Sequence, residues 1–327
     1  DAAISKTVES FKSWFVANGG FFHNDAQFRP DASGYKIVAD KEVPADTTIV
    51  TCPFGLVVTK ELATHAILSV LKTNEIPPEW TERQLICTYV CLHWAFEASP
   101  DLPESLAHLP YLEILPKPEQ LRTPLHFSEK ELELFRGSHL YGATIDRRNV
   151  LHNEWRRCLE HLTTATNGDV YQRRYTWERY LTAATYLSSR AFPSTLLLES
   201  SSVVTSKGSY PVLLPGVDSL NHARGRPVSW VVDPLPPTDL SGDSRQQLGI
   251  SLIIHSRTQS GGELLNNYGA KPNSELILGY GFSLKGNPDD TIVLSIGGGP
   301  VTSASNQEEK KRWEVGRSAR GVEGVWH

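Results

Sequence analysis

Two short stretches carry side chains whose types and spacing could do chemistry. The first is Leu214-Pro215-Gly216-Val217-Asp218-Ser219-Leu220-Asn221-His222. The second runs Gly262-Glu263-Leu264-Leu265-Asn266-Asn267-Tyr268-Gly269 and continues to Asn273-Ser274-Glu275-Leu276-Ile277-Leu278-Gly279-Tyr280-Gly281-Phe282. An Asn-His pair alone reads as a turn, because both residues are common in loops and tolerate unusual backbone. Tyr268 alone reads as a packed strand-end tyrosine, and Tyr280 with Phe282 as one face of a strand or turn. The conjunction of Asp-x-x-Asn-His, Tyr-Gly, Asn-x-Glu-Leu and Tyr-Gly-Phe is far rarer than its parts. Aromatic faces of this kind suit an ammonium group or a purine ring.

The elements that must position these groups follow from the patterning. Val8 to Asn18 reads as an amphipathic helix with Phe11, Trp14 and Phe15 on one side, stopped by Gly19-Gly20. Tyr35-Lys36-Ile37-Val38-Ala39, Thr48-Ile49-Val50-Thr51 and Leu56-Val57-Val58 read as short strands, separated by Pro44, Asp46 and Pro53. From Lys60 to about Phe192 the signal is helical: Leu85, Ile86, Tyr89, Leu92, His93 and Phe96 keep a helical period. Ser128 precedes Glu131 by three, a capping-box pattern. A further helix spans Tyr175 to Phe192. Strands are expected near Val203 and Val212, at Ile250 to His255 and at Thr291 to Ile296, with a polar, Pro-rich loop from Pro234 to Asp243. Two β-rich segments flanking a helical insertion predict one discontinuous β domain or two separate domains.

At 327 residues the chain can bury a large core. Apolar content of 39% and charged content of 21% fit a globular protein. No apolar run approaches the roughly 18 residues of a membrane span, and no secretory signal opens the chain. A net charge of -5 argues against nucleic acid as a direct partner. Cys87 and Cys91 sit four apart in an apolar helical pattern and read as core thiols. No cysteine cluster offers a structural zinc site, so no metal is expected, and cytosolic or nuclear residence is favoured over secretion. The chain opens at Asp1, so its natural beginning is expected to be missing or processed.

On the two stretches quoted first, the chain resembles the SET-domain protein methyltransferases, in particular the branch that includes the Rubisco large-subunit lysine methyltransferase and related non-histone enzymes. The resemblance implies an α+β fold: a SET-domain β-fold of short strands, a threaded C-terminal segment and a large helical insertion. It implies S-adenosylmethionine as methyl donor, bound by Asp218, Asn221, His222 and Phe282, with Phe282 against the adenine. It places Tyr280 at the lysine channel, among the cofactor-side residues. It makes Tyr268 the catalytic residue, at the mouth of a narrow channel joining donor and lysine. Asn273 and Glu275 are expected to hold the turn. Ser33-Gly34-Tyr35 occupies the place where the family shows a Gly-x-Gly that approaches the donor, and Lys36 stands where a second Gly is common. Arg190, in a Ser-Arg-x-Phe shared with the family, is expected near the donor carboxylate.

The resemblance further implies in-line methyl transfer to a lysine amine of a non-histone protein, such as a translation component. The alternatives are a histidine acceptor and a non-catalytic SET-fold binding module. A monomer without nucleic-acid or membrane partners is expected. The implied organisation is residues 1–59 for the N-terminal helix and first SET part, 60–192 for the insertion and 193–296 for the catalytic part. Residues 297–327 begin a truncated or reduced form of the helical substrate-binding domain that relatives carry.

Overall fold

The computed structural model describes residues 2–96, 102–165, 169–198, 206–235 and 247–291. Every described element lies in one compact unit, residues 1–290. The chain opens with α1 (Ala2–Ala17), then β1 (Phe21–Phe22), β2 (Ala26–Asp31), β3 (Gly34–Ala39) and β4 (Thr47–Pro53). The insertion follows as α2 (Lys60–Leu71), α3 (Glu82–Phe96), α4 (Leu109–Ile114), α5 (Glu129–Glu133), α6 (His139–Ala165), α7 (Asp169–Arg174) and α8 (Trp177–Arg190). The chain then returns to β5 (Phe192–Pro193), β6 (Pro211–Val212), β7 (Val228–Pro234) and β8 (Leu248–Ile254), and closes with α9 (Asn273–Tyr280).

The main sheet has the order β1-β4-β8-β7, all antiparallel. A strand from before the insertion therefore lies between two elements of which one, β8, comes long after it. β2 and β3 form a separate hairpin, and β5 pairs with β6. The β-branched run Thr47-Thr48-Ile49-Val50-Thr51 suits a pleated, buried surface, and Ile49 and Val50 are fully buried. This is the α+β arrangement expected, with helices α2 to α8 running from Lys60 to Arg190.

Two local expectations differ, and two strands went unread. Leu56-Val57-Val58 is no strand: Phe54–Leu56 forms a 3₁₀ turn, and only Val58 pairs, through reciprocal backbone bonds to Leu213. The last insertion helix starts at Trp177, capped by Thr176, and ends at Arg190, because Phe192 is already paired with Val212. β2 went unread because Arg29 and Pro30 break its apolar alternation, and β7 because its side chains are only half-buried. The Asn-x-Glu-Leu and Tyr-Gly-Phe motifs sit on and just after helix α9 and do not form a strand. The strands expected near Val203 and at Thr291 to Ile296 lie outside the described residues, Thr291 itself having no strand assignment. The Ser128–Glu131 capping box forms as read.

The N-terminal core is aromatic. Phe11 and Phe15 stack at 5.4 Å, and Phe11 meets Phe22, Phe28 and Tyr111 at ring distances of 5.8–6.4 Å. Gly216 passes tightly over this cluster. Its φ is +82°, and a Cβ there would lie 3.0–3.1 Å from Phe22, Phe15 and Val50. That passage drops Asp218 into the interior.

A polar knot joins the insertion to the sheet. The neutral His93 ring donates from Nδ1 to the Tyr89 carbonyl at 2.9 Å and accepts the His108 backbone N–H on Nε2 at 3.1 Å. The His108 ring donates from Nε2 to the Leu56 carbonyl at 3.0 Å and accepts the Tyr89 hydroxyl on Nδ1 at 2.5 Å. Each ring has one donor and one acceptor satisfied, so a second proton on either would oppose a neighbour's donor. Burial lowers His93 to about 3 and His108 to about 4.

Between these values and about 6.5 the unfolded chain binds more protons than the folded one, so stability falls as pH drops below about 6.5. The loss at pH 5.5 is on the order of 1 kcal/mol for each histidine. Denaturant midpoints at pH 7.5 and pH 5.5 check this, and a flat midpoint would show that neither histidine is held neutral.

Candidate active site

The two motifs meet through a short parallel pairing. His222 bridges Asn266; the Asn266 N–H donates to the Asn221 carbonyl at 2.7 Å, and the Ala223 N–H donates to the Asn266 carbonyl at 2.9 Å. Asn266 is 1% exposed. On its upstream side the same segment joins β3, through Ala39 N–H to the Gly262 carbonyl and Leu264 N–H to the Ile37 carbonyl, both at 2.9 Å. The second motif is thus threaded between β3 and the first motif.

Threading stacks the aromatic side chains. The Tyr268 ring lies between His222, at 5.0 Å and 22°, and Tyr280, at 5.1 Å and 24°. Phe282 sits 6.1 Å from both His222 and Tyr280. The Tyr268 hydroxyl donates to the Leu220 carbonyl at 3.0 Å, and its backbone N–H donates to His222 Nδ1 at 3.0 Å. Helix α9 ends so that Tyr280 and Phe282 face this stack. Gly281 caps it at φ +81°, against the backbone of Arg122 and Thr123, where a Cβ would come within 2.7 Å of the Arg122 carbonyl carbon. Asn273 is structural, as expected: its side chain bonds the Leu284 backbone twice, at 2.8 and 3.1 Å.

At the end of α8, Arg190 donates from Nη1 to the Asp218 carbonyl at 3.0 Å and to its Oδ2 at 3.3 Å. The Tyr111 hydroxyl donates to the same Oδ2 at 2.7 Å. Burial pushes Asp218 above the ordinary carboxylate range, while Arg190 and Tyr111 oppose that rise. Burial also pushes the Tyr268 phenol well up, so it stays protonated. Tyr280 is raised to about 12 by burial, with Glu275 adding to it.

Two cavities flank the stack. One, of about 250 Å³, is lined by Ser33, Asn221, His222, Phe282 and the insertion loop from Pro116 to Thr123. The other, of about 350 Å³, is lined by Phe192, Pro193, Asp218, Trp230, Asn266 and Asn267. Ser189, Arg190, Tyr268 and Tyr280 line both. Of the residues predicted to bind cofactor, Ser33, Arg190, Asn221, His222, Tyr280 and Phe282 come together around the first cavity. Asp218 lines the second, and its side chain is only 1% exposed. Gly34 and Tyr35 line neither: Gly34 packs beside Pro116, and the Tyr35 ring meets Phe28 edge-on at 6.0 Å.

Sequence reasoning missed Tyr111, the 116–123 loop, Glu263, which accepts from Asn221 Nδ2 at 2.8 Å, and Trp230. For Asn266, also unread, a signal existed. Leu264 and Asn266, two apart, both point inward, so a period of two runs through the second motif. Tyr111 and Trp230 carry no local signal. Among the described residues no group of three or more His, Cys, Asp or Glu side chains could hold a metal ion, and no helix is long and apolar enough to cross a membrane.

This threaded arrangement beside a short-stranded sheet is the SET fold. The structure matches the crystal structure of the SET domain of LSMT bound to lysine and AdoHcy with a TM-score of 0.65 at 19% identity, covering 86% of this chain and 58% of that one. It matches Rubisco LSMT bound to AdoMet with a TM-score of 0.59 at 22% identity, covering 86% and 57%. By sequence it is similar to ribosomal lysine N-methyltransferase set10 of Schizosaccharomyces pombe, 30% identical over 86% of this chain and 46% of that protein. It is also similar to protein-lysine N-methyltransferase EFM1 of Saccharomyces cerevisiae, 24% identical over 88% and 52%. No family model matches. The chain thus has the SET fold and is similar in sequence to curated lysine methyltransferases. It spans about half the length of these curated relatives.

His222 accepts a backbone N–H on Nδ1, so its ring carries its proton on Nε2. Burial, with the Lys271 cation adding to it, lowers its pKa below the ordinary value. Imidazole NMR should show a single Nε2–H tautomer that titrates below about 6.5. A shift pattern for the Nδ1–H form would overturn this geometry.

Proposed function

We propose that the chain is the donor- and acceptor-binding part of an S-adenosylmethionine-dependent lysine methyltransferase acting on a non-histone protein. The observation that carries the reading is the pair of cavities that meet at Ser189, Arg190, Tyr268 and Tyr280. The smaller cavity offers an aromatic face at Phe282, an imidazole at His222, an amide at Asn221 and a guanidinium at Arg190. That set suits a ligand that joins a purine to a zwitterionic amino acid. When bound, S-adenosylmethionine supplies an electrophilic methyl group on a sulfonium.

The larger cavity suits the acceptor. Its apolar walls, Phe192 and Trp230, would enclose an aliphatic stem, and the Tyr268 and Tyr280 rings would face an amine at the junction. The acceptor must arrive neutral, which costs a lysine roughly 4–5 kcal/mol at pH 7. Burial of the ammonium lowers that cost, and no dedicated base is assigned. Transfer is then an in-line displacement across the junction, with alignment as the larger contribution, potentially about 7–11 kcal/mol. Tyr268 serves to hold that alignment. Its phenol is fixed by Leu220 and its ring by two neighbours. Similarity to set10 supports a lysine of a ribosomal protein as the acceptor.

Ribosomal subunits incubated with labelled donor should become methylated, and mass spectrometry of the modified peptide should find a lysine. A methylated histidine would replace the acceptor assignment. In the same assay Tyr268→Phe keeps the ring stack but loses at least about tenfold in kcat with little change in KM. Asn221→Ala should instead raise the KM for donor, because its contact exists in the ground state too. Near wild-type kcat for Tyr268→Phe would remove Tyr268 from the alignment role.

A further inference from the structure

We infer that Tyr111, on α4 of the helical insertion, is a positioning residue for the donor cavity: it holds Asp218, and through Asp218 it holds the Arg190 guanidinium where the two cavities meet. The inference rests on the donor-site reading proposed above. Tyr111 itself lines neither cavity, and its ring is fully buried 6.4 Å from Phe11. Its hydroxyl is nevertheless one bond from the site, at 2.7 Å from Asp218 Oδ2.

The dependence is tight because Asp218 has few partners. Its Oδ1 is buried and accepts no hydrogen bond. Its Oδ2 takes the Tyr111 hydroxyl and the Arg190 Nη1, and the same Nη1 also reaches the Asp218 carbonyl. Among the described residues, Arg190 is therefore pinned by Asp218, and Asp218 keeps its charge with the help of the neutral Tyr111 donor. A carboxylate this desolvated is costly to keep ionised, and a hydrogen bond to the charged form offsets that cost. The phenol does so without competing for the guanidinium, since it brings no charge of its own.

Several elements bring titratable groups to Asp218. These groups are Tyr111 from α4, Arg190 from the end of α8, Cys52 from β4 and Tyr268 from the second motif. Burial pushes the Cys52 thiol and both phenols upward, so all three stay neutral near pH 7. Arg190 stays charged. Asp218 is thus the member of this set whose charge can change. Removing the Tyr111 hydroxyl moves that change to higher pH. Once protonated, Asp218 no longer anchors Arg190 by charge.

Calorimetric titration of S-adenosylhomocysteine into the wild-type chain and into Tyr111→Phe, at pH 6, 7 and 8, tests this. Phenylalanine fills the same space, so packing against Phe11 is kept. The variant should bind more weakly than wild type, by up to about tenfold at the lowest pH, and the deficit should shrink as the pH rises. Recovery at high pH shows an intact fold, which a merely structural defect would not give. Equal affinity at every pH overturns the inference, and so does a deficit of constant size across the range. Wild-type chain that binds no S-adenosylhomocysteine overturns the donor-site reading and the inference with it, a failure recognised without any variant.

Discussion

Two backbone hydrogen bonds on Asn266, one given to Asn221 and one taken from Ala223, hold the site together. They run two irregular segments side by side in parallel, a pairing the rest of the chain must make possible. Backbone groups buried in this way need partners, and Asn266 at 1% exposure has no water to fall back on. With the pairing formed, Tyr268 is carried onto His222, and α9 can fold back so that Tyr280 and Phe282 complete the stack. Without it, Asn221, His222 and Tyr268 have no fixed relation.

The insertion is more than a separate lobe. It supplies Arg190 from its last helix, Tyr111 from α4 and the Pro116–Thr123 wall of the smaller cavity. The His93–His108 knot ties its helix α3 to the 3₁₀ turn that follows β4. Packing in the insertion is thereby coupled to the sheet by hydrogen bonds that require neutral rings and exact register. The charged element of the site, Arg190 with Asp218, is likewise shared between insertion and sheet side. Such shared burial favours rigid placement over stability, because the desolvation of an ion pair consumes much of its attraction.

The first motif and the Tyr268–Phe282 segment were legible because their residue types are unusual together, and the structure brings them together. The strands at Tyr35 and Ile49, the insertion and its capping box were legible from periodicity. The remainder failed for identifiable reasons. Pro30 and Arg29 disguised β2, since an edge hairpin tolerates both. Leu56-Val57-Val58 has the composition of a strand, but Pro53 before Phe54 starts a tight turn instead. Tyr35 sits in a motif-like position, yet its ring was claimed by Phe28, a neighbour across the hairpin. Tyr111 acts at a distance in sequence from both motifs, and no local pattern can announce a partner 107 residues away, as Asp218 is from Tyr111.

The strand order has a consequence for how the chain comes to exist. β4 is complete before the insertion begins, but its neighbour β8 arrives much later: Thr51 meets Ser251 across 200 residues. During synthesis the central strand must wait with one edge unpaired while the helices, which need only nearby contacts, form first. The β2–β3 hairpin can close early, yet β3 gains its Gly262 and Leu264 contacts only after β8 has emerged. The stacked site therefore forms only once α9 has been made, and a nascent chain halted before β8 is helical scaffold around an open sheet.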